Sequence, residues 1–421
     1  MNLFPAIPLE LRLVALFLVG LCLGSLLNYL VDRLSWTPRQ RSPWRRPDEA
    51  APPRTWQDRL PVIGWLGLRR EVQVHGRGFW IRPMAVELLC GFGLAALYWW
   101  EVGCGGLIPQ QVAGPLDACQ AAVHVRFLCH VLLAGLMIVA SLIDIDEKII
   151  PDGITVPGTL MGLLAAALWP GAMLPVAERL ADGRQVLSFI HLTSPNPWPS
   201  SLDGYPRPWP LAGALACWWI WCFALMPRTW YRRHGLRRAV QLMVARLVRH
   251  VHTYRLALMG LLGSAAIAVV WRVGLHHWAG LLSALAGIAA GGGIVWAVRV
   301  IGTRALGREA MGFGDVTLMG MIGTYLGWQA CLVVFFLAPF AGLLCGVVNL
   351  LVRRDGEIPY GPFLCLAALA VIVCWRPLWR AAEPYFGLGW WVPVVILLCL
   401  AMMAVLLGLI AFLKRALGAG Q

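Results

Sequence analysis

Long apolar runs alternate with shorter polar segments along almost the whole chain of 421 residues. A transmembrane helix needs about 20 consecutive, mostly apolar residues, and many of the runs come near that length. Of all residues 59% are hydrophobic and only 13% are charged, whereas a soluble domain usually carries about 25% charged residues. The pattern therefore predicts an all-α fold, a polytopic transmembrane helical bundle that forms a single membrane domain over residues 1–421.

The apolar runs predict about eleven spans, judged by the length that a bilayer requires. They are residues 13–31, 84–100, 123–143, 154–174, 211–226, 256–273, 281–301, 316–325, 330–352, 363–374 and 392–413. Gly327-Trp328-Gln329 separates the eighth span from the ninth. We predict a turn there, because glycine is a strong punctuator of regular structure.

The charge of the chain predicts its orientation. The formal net charge is +14, and eleven arginines lie between residues 32 and 83, directly after the first span. Cytoplasmic loops are enriched in Lys and Arg, so we predict that this loop and the C-terminus are cytoplasmic and the N-terminus is outside. Topology thus explains the positive charge, and nucleic-acid binding, which a basic chain can also indicate, is not predicted.

Two aspartates lie at the ends of apolar runs far apart in the sequence. Asp144 follows the third span, Asp315 precedes the eighth, and counting spans puts both at the cytoplasmic face. An ionisable residue at such a position is costly, so it is a candidate functional residue. Two carboxylates that share a proton can activate water and polarise a carbonyl, which predicts an aspartyl hydrolase. Gly312 and Gly314 would let a substrate strand approach Asp315 closely.

The residues alone leave other interpretations open. Asp315 could be an N-terminal helix cap. The acids Asp144, Asp146, Glu147 and Asp152 could hold calcium or magnesium, or they could belong to a proton- or cation-coupled transporter. An inactive membrane scaffold is a further alternative. Glu87, inside the second span, is either a carboxylate near the interface or a group that faces the site.

Four stretches resemble motifs of the type IV prepilin peptidases, which belong to the GxGD membrane aspartyl proteases. They are Gly24-Ser25-Leu26-Leu27-Asn28 with Arg33-Leu34, SLIDIDEKIIPD at 141–152, MGFGD at 311–315 and IPYGP at 358–362. The resemblance implies an endopeptidase of the bacterial inner membrane. It would remove the short basic leader from type IV prepilins, or from pseudopilin substrates of type II secretion, at the cytoplasmic face.

The resemblance also implies roles for single residues. The catalytic pair corresponds to Asp144 and Asp315. Supporting or substrate-binding positions correspond to Gly312, Gly314, Asp146, Asp152 and Glu87. The implied partners are the N-terminal segments of prepilins or pseudopilins and the lipid bilayer, and the oligomeric state is left open. Proteolysis by this family requires no metal and no cofactor.

This sequence departs from the family pattern in three ways. Many members carry paired CxxC motifs in the first cytoplasmic loop and also transfer a methyl group from S-adenosylmethionine. Here residues 32–83 contain no cysteine, which excludes a zinc site in that loop, and we expect methyl transfer to be weak or absent. Thr317 stands where many members have lysine.

Additional segments are the third departure, and they complete the predicted organisation. Residues 84–175 carry Asp144, and residues 278–376 carry the GxGD and IPYGP motifs. Between them lies an insertion, residues 176–277, with two extra spans, and residues 377–421 add a last span.

Overall fold

The computed structural model describes residues 7–37, 41–48, 50–110, 120–179, 183–196, 207–226, 251–307, 309–352 and 359–416. Within these ranges the chain is helical except for connecting segments and one two-stranded antiparallel sheet. This confirms the all-α prediction. The proline-rich segment 197–206 and the arginine-rich segment 227–250 lie outside the described residues.

The helices and strands are numbered in chain order. They are α1 (Leu9–Leu34), α2 (Ile63–Gly67), α3 (Val72–His75), α4 (Ile81–Tyr98), α5 (Gln120–Glu147), α6 (Asp152–Leu168), β1 (Pro175–Arg179), β2 (Gln185–Phe189), α7 (Pro208–Ala224), α8 (Val251–Val273), α9 (Leu275–Leu306), α10 (Phe313–Val352), α11 (Gly361–Val373), α12 (Trp375–Phe386) and α13 (Trp391–Ala416).

Seven helices among the described residues, with α10 counted as one, are long and apolar enough to cross a membrane, and α11 with α12 forms an eighth candidate that bends by 95°. The helix α6 is apolar but shorter. The chain is thus a multi-pass membrane protein. Eleven spans stay a prediction, as does the division of the chain into core and added segments.

The helix α10 is two helices joined at a break. Gly327 has φ 82° and ψ 168°, values that leave the helix and favour glycine. Near one end of the bundle, Gly314 packs on Ile150. At the break, Trp328 donates to the Leu192 carbonyl at 2.8 Å. In the second half of α10, Gly342 packs on Phe363. Phe363 lies two residues after Gly361, and Gly361 packs on Asp144, so this half returns toward the end of the bundle that holds Asp144. The chain therefore reverses at Gly327, which confirms the predicted turn.

Close contact between glycines fixes the first half of α10 against α9. A Cβ atom on Gly323 would lie 2.2 Å from the Gly287 carbonyl oxygen, and one on Gly287 would lie 2.0 Å from the Gly323 carbonyl oxygen. Small residues allow backbones to approach in this way, which is a common basis of helix association in membranes. The segment that begins with Asp315 is therefore held by backbone packing along its length.

The loop after α1 is a folded unit. Trp65, Leu68 and Phe79 form its small buried core. The Arg54 guanidinium donates to both oxygens of Glu71, at 2.8 Å and 2.7 Å. These contacts give the loop a defined shape.

A second ion pair in the same loop joins Arg70 to the buried carboxylate of Asp58. Burial by itself would raise the pKa of Asp58, but the Thr55 amide and the Arg70 guanidinium outweigh it and lower that pKa below its ordinary value. Ion pairs and a small apolar core therefore order a loop that contains no cysteine.

The opposite end of the bundle is covered by part of the predicted insertion. The sheet of β1 and β2 leads into a turn whose His191 and Ser194 carbonyls accept hydrogen bonds from Gln329, at 2.8 Å and 3.2 Å. The Trp375 indole donates to the Pro175 carbonyl at 2.8 Å. This cover holds the reversal of α10 from outside the bundle.

The glycine contact gives a testable prediction for the fold. Gly287→Ala places a methyl group on the Gly323 carbonyl, and overpacking of this kind typically costs about 1–3 kcal/mol. We expect the melting temperature in detergent to fall by several degrees. Gly293→Ala on the same helix is the matched control, because nothing lies within 4 Å of its Cβ position. Equal melting temperatures for the two variants would contradict the packing argument.

Candidate functional site

The site is formed by two buried aspartates from separate helices. Asp144 lies in the last turn of α5 and is 5% exposed, and Asp315 lies in the first turn of α10 and is 6% exposed. Their carboxylates are close enough to repel each other electrostatically. Because α10 begins at Phe313, Asp315 is its third residue and not the N-cap residue, although its carboxylate interacts with the amide of Gly312, the residue before the helix.

Ile150 and Gly361 connect the two aspartates. A Cβ on Gly361 would lie 2.5 Å from Asp144 Oδ2 and 2.9 Å from Ile150 Cδ1. A Cβ on Gly314, the neighbour of Asp315, would lie 2.8 Å from Ile150 Cβ. The space beside Gly314 is therefore filled by Ile150, whereas the nearest atom to a Cβ on Gly312 is Asp315 Oδ2, at 3.5 Å. Packing within the protein is thus a sufficient reason for glycine at position 314.

Backbone amides approach each carboxylate. The Gly361 amide interacts with Asp144 and the Gly312 amide with Asp315. Asp144 Oδ2 is buried and has no hydrogen-bond partner among the described residues. Buried polar atoms are normally hydrogen-bonded, so this oxygen requires a water, a substrate atom or a shared proton. A carboxylate pair of this kind can hold one proton between its members.

The other acids of this segment do not converge on the pair. Asp146 accepts a hydrogen bond from Arg82 at 2.6 Å. Glu147 accepts from the Trp36 and Thr37 amides at 2.7 Å and 3.0 Å. Asp152 is exposed in the first turn of α6, where a carboxylate interacts favourably with the helix dipole.

These separate partners bear on the metal alternative. Within the part of the chain that the structure describes, no group of His, Cys, Asp and Glu side chains could hold a metal ion. The calcium or magnesium interpretation therefore gains no support from the geometry. The acidic segment instead binds the first loop, which accounts for acids at a predicted cytoplasmic end.

Glu87 anchors the first loop. It is fully buried, and its carboxylate accepts from the Val62 amide at 2.5 Å and from the Trp65 indole at 2.9 Å. A Cβ on Gly24 of α1 would lie 2.6 Å from the Glu87 Cα. The residue thus joins α1, α4 and the loop, and these contacts direct its carboxylate to the loop and not to the aspartates.

Several contacts of the site carried no signal in the sequence. Ile150 and Gly361 lie within recognised motifs, but only the structure shows that they pack together against Asp144. Arg82 is one of eleven loop arginines, and its contact with Asp146 requires α4 and α5 to be adjacent.

The fold and site define a polytopic helical membrane protein with a buried aspartate pair at one end of the bundle. Residues 243–347 match the model of the type IV leader peptidase family. This segment contains Asp315, and Asp144 lies outside it. The match confirms the resemblance inferred from the motifs, and through this segment the chain is related to that family.

Curated relatives agree. The chain is 33% identical over 90 residues, 21% of its length, to the prepilin leader peptidase/N-methyltransferase of Aeromonas salmonicida (strain A449), covering 30% of that protein. It is 29% identical over 156 residues, 36% of its length, to the protein of the same name from Myxococcus xanthus, covering 40% of it. It is 34% identical over 99 residues, 23% of its length, to the protein of the same name from Pseudomonas putida, covering 34% of that protein. The chain thus spans between 30% and 40% of the length of these relatives. No solved structure matches.

Proposed function

We propose that this protein is a membrane aspartyl endopeptidase that removes the basic N-terminal leader from type IV prepilin or pseudopilin substrates. One observation carries the proposal. Two buried carboxylates from distant helices meet through Ile150 and Gly361, in a chain with a segment of the type IV leader peptidase family. The curated relatives are named for the same leader cleavage.

The reaction needs a base for water and an acid for the leaving amine. The ionised carboxylate of the pair takes a proton from water as the water oxygen attacks the scissile carbonyl carbon. The protonated carboxyl donates a hydrogen bond to the carbonyl oxygen. As the intermediate collapses, a proton passes to the amide nitrogen and the peptide C–N bond breaks. The proton belongs to Asp144 and Asp315 jointly, so the roles of base and acid are assigned to the pair.

The membrane face at which the aspartates lie follows from the contacts of the first loop. This arginine-rich loop is bound to the aspartate end of the bundle, because Glu147 accepts from Trp36 and Thr37 and Asp146 accepts from Arg82. A loop with this bias is expected to be cytoplasmic. The proposed site therefore faces the cytoplasm of a bacterial inner-membrane protein whose N-terminus is outside and whose C-terminus is cytoplasmic.

The transporter alternative has less support. Transporters built from repeats hold their coupling groups near the bilayer midplane. Here Asp144 is three residues from the end of α5 and Asp315 is the third residue of α10. Groups at helix ends are better placed for a substrate that approaches the membrane surface.

The catalytic pair can be tested by single substitutions. Asp144→Asn or Asp315→Asn leaves one carboxyl group that cannot share a proton, so we expect at least about a 1,000-fold loss of cleavage. The substrate is a synthetic peptide with a basic leader and a Gly-Phe junction, and the products are identified by mass. Glu10→Gln, which removes an exposed carboxylate, is the control. Cleavage by either Asn variant near the wild-type rate would remove that residue from the pair.

The contact beneath Asp144 gives a second prediction. Gly361→Ala adds a methyl group where 2.5 Å separates the Cβ position from Asp144 Oδ2, so the carboxylate must move. A displacement of about 1 Å can cost about 100-fold in rate. We expect a loss of that order in the peptide assay, with Gly293→Ala as the control. Full activity of the Gly361 variant would show that the contact does not fix the carboxylate.

We also propose that methyl transfer to the new N-terminus is weak or absent. A cleft of about 310 Å³ lies between the first loop and the bundle. It is lined on α5 by Leu142 and Asp146, and at 3.6 residues per turn these positions face away from Asp144. A methyl donor in this cleft would be separated from the aspartates by the helix, so a substrate held at the aspartates could not be methylated from the cleft without moving first.

Transfer of a labelled methyl group tests directly whether the new N-terminus is methylated. The purified protein is incubated with the peptide and S-adenosylmethionine carrying a labelled methyl group. We expect a cleaved product without label. Label on the new N-terminus at a rate comparable to cleavage would overturn this part of the proposal and leave the peptidase function intact.

A further inference from the structure

Arg82 makes two contacts that bracket Asp144. It is the second residue of α4, and its guanidinium reaches the last turns of α5. Nη1 donates to Asp146 Oδ1 at 2.6 Å, and Nη2 donates to the Leu142 carbonyl at 3.0 Å. One acceptor lies two residues before Asp144 and the other two residues after it. The contacts therefore lie on the opposite side of the helix from the Asp144 side chain.

The end of a helix is its least restrained part. The last carbonyl groups have no partner within the helix, so a terminal turn frays unless other groups bind it. Asp144 is in such a turn, because α5 ends at Glu147. A guanidinium presents a planar fork of donors that suits two acceptors at once, and its charge is favourable near a helix C-terminus. Arg82 thus restrains the turn from behind.

A second restraint acts at Glu147. Its carboxylate accepts from the Trp36 amide at 2.7 Å, from the Thr37 amide at 3.0 Å and from the Thr37 hydroxyl at 2.6 Å. These three bonds tie the end of α5 to the segment after α1. With Arg82 at Leu142 and Asp146, the turn that carries Asp144 is held at both of its ends.

The contribution of the Arg82–Asp146 ion pair to stability is separate from its effect on the geometry of the turn. The side chain of Arg82 is 41% exposed and that of Asp146 is 14% exposed. Exposed ion pairs contribute little to stability. The contact is therefore suited to fixing a geometry and adds little to the free energy of unfolding.

We propose that Arg82 is a positioning residue that holds the Asp144 carboxylate in place for reaction with Asp315. The proposal rests on the function proposed above. Catalytic groups must be held within about 0.5 Å of their productive geometry. Loss of Arg82 lets the last turn of α5 move, which separates the carboxylate pair while Asp144 and Asp315 are both still present.

Kinetics of four variants test the proposal. Arg82→Gln and Asp146→Asn are each expected to lower kcat about 10- to 100-fold with KM nearly unchanged, since misplacement of a reacting group affects the transition state. The double variant is expected to be no slower than the slower single variant, because both substitutions remove the contact between Arg82 and Asp146. Arg82→Lys, which keeps the charge but lacks the planar pair of donor nitrogens, is expected to be intermediate. The pH profile of kcat is expected to change in Arg82→Gln, because it reports the carboxylate pair.

Arg77→Gln is the matched control. It removes the same charge from the same loop, and the Arg77 side chain is exposed. Its kcat and pH profile are expected to equal those of the wild type. A loss in Arg77→Gln equal to that in Arg82→Gln would assign the effect to loop charge and overturn the proposal.

Amide hydrogen exchange gives a readout independent of activity. Exchange in residues 141–147 is expected to be about tenfold faster in Arg82→Gln than in the wild type or in Arg77→Gln, because the restrained turn opens more often. Unchanged exchange, an unchanged kcat, or additive losses in the double variant would each overturn the positioning role. If the wild type itself fails to cleave the peptide, the proposed function is wrong, and the exchange result still decides whether Arg82 restrains the turn.

Discussion

The burial of two carboxylates at one end of an apolar bundle is the constraint on which the rest of this structure depends. Each charge is costly to remove from water, and two like charges at close range increase the cost. Asp144 and Asp315 are nevertheless buried, and among the described residues the Gly361 and Gly312 amides approach them from the backbone. A pair that shares a proton carries a single negative charge, which reduces that cost and supplies an acid and a base together.

Holding the pair together requires rigid supports on both sides. Asp315 is supported from α9, because Gly287 and Gly323 bring the two backbones into contact, and from the far end, where Gln329 is bound by the turn after β2. Asp144 is supported by the first loop through Arg82 and Glu147. The segment with β1 and β2 and the first loop thus support the helices of the two aspartates from opposite ends of the bundle.

The first loop is held together by ion pairs and a small apolar core. The loop, residues 32–83, contains no cysteine. Its described residues use the Arg54–Glu71 and Arg70–Asp58 ion pairs around the core of Trp65, Leu68 and Phe79. Glu87 then ties that unit to α4. Glu87 in α4 and Asp146 and Glu147 in α5 therefore have structural roles, apart from any part in catalysis.

The sequence by itself determined the helical class, most helix positions, the reversal at Gly327 and the two aspartates as candidates, because these follow from local hydrophobic runs, glycine and charge at their ends. It did not determine that Ile150 fills the space beside Gly314, that Glu87 binds Val62, or that Arg82 brackets Asp144. Each of these contacts joins side chains or backbones whose proximity depends on how separate helices pack. Periodicity describes one helix at a time, so only the tertiary structure could decide them.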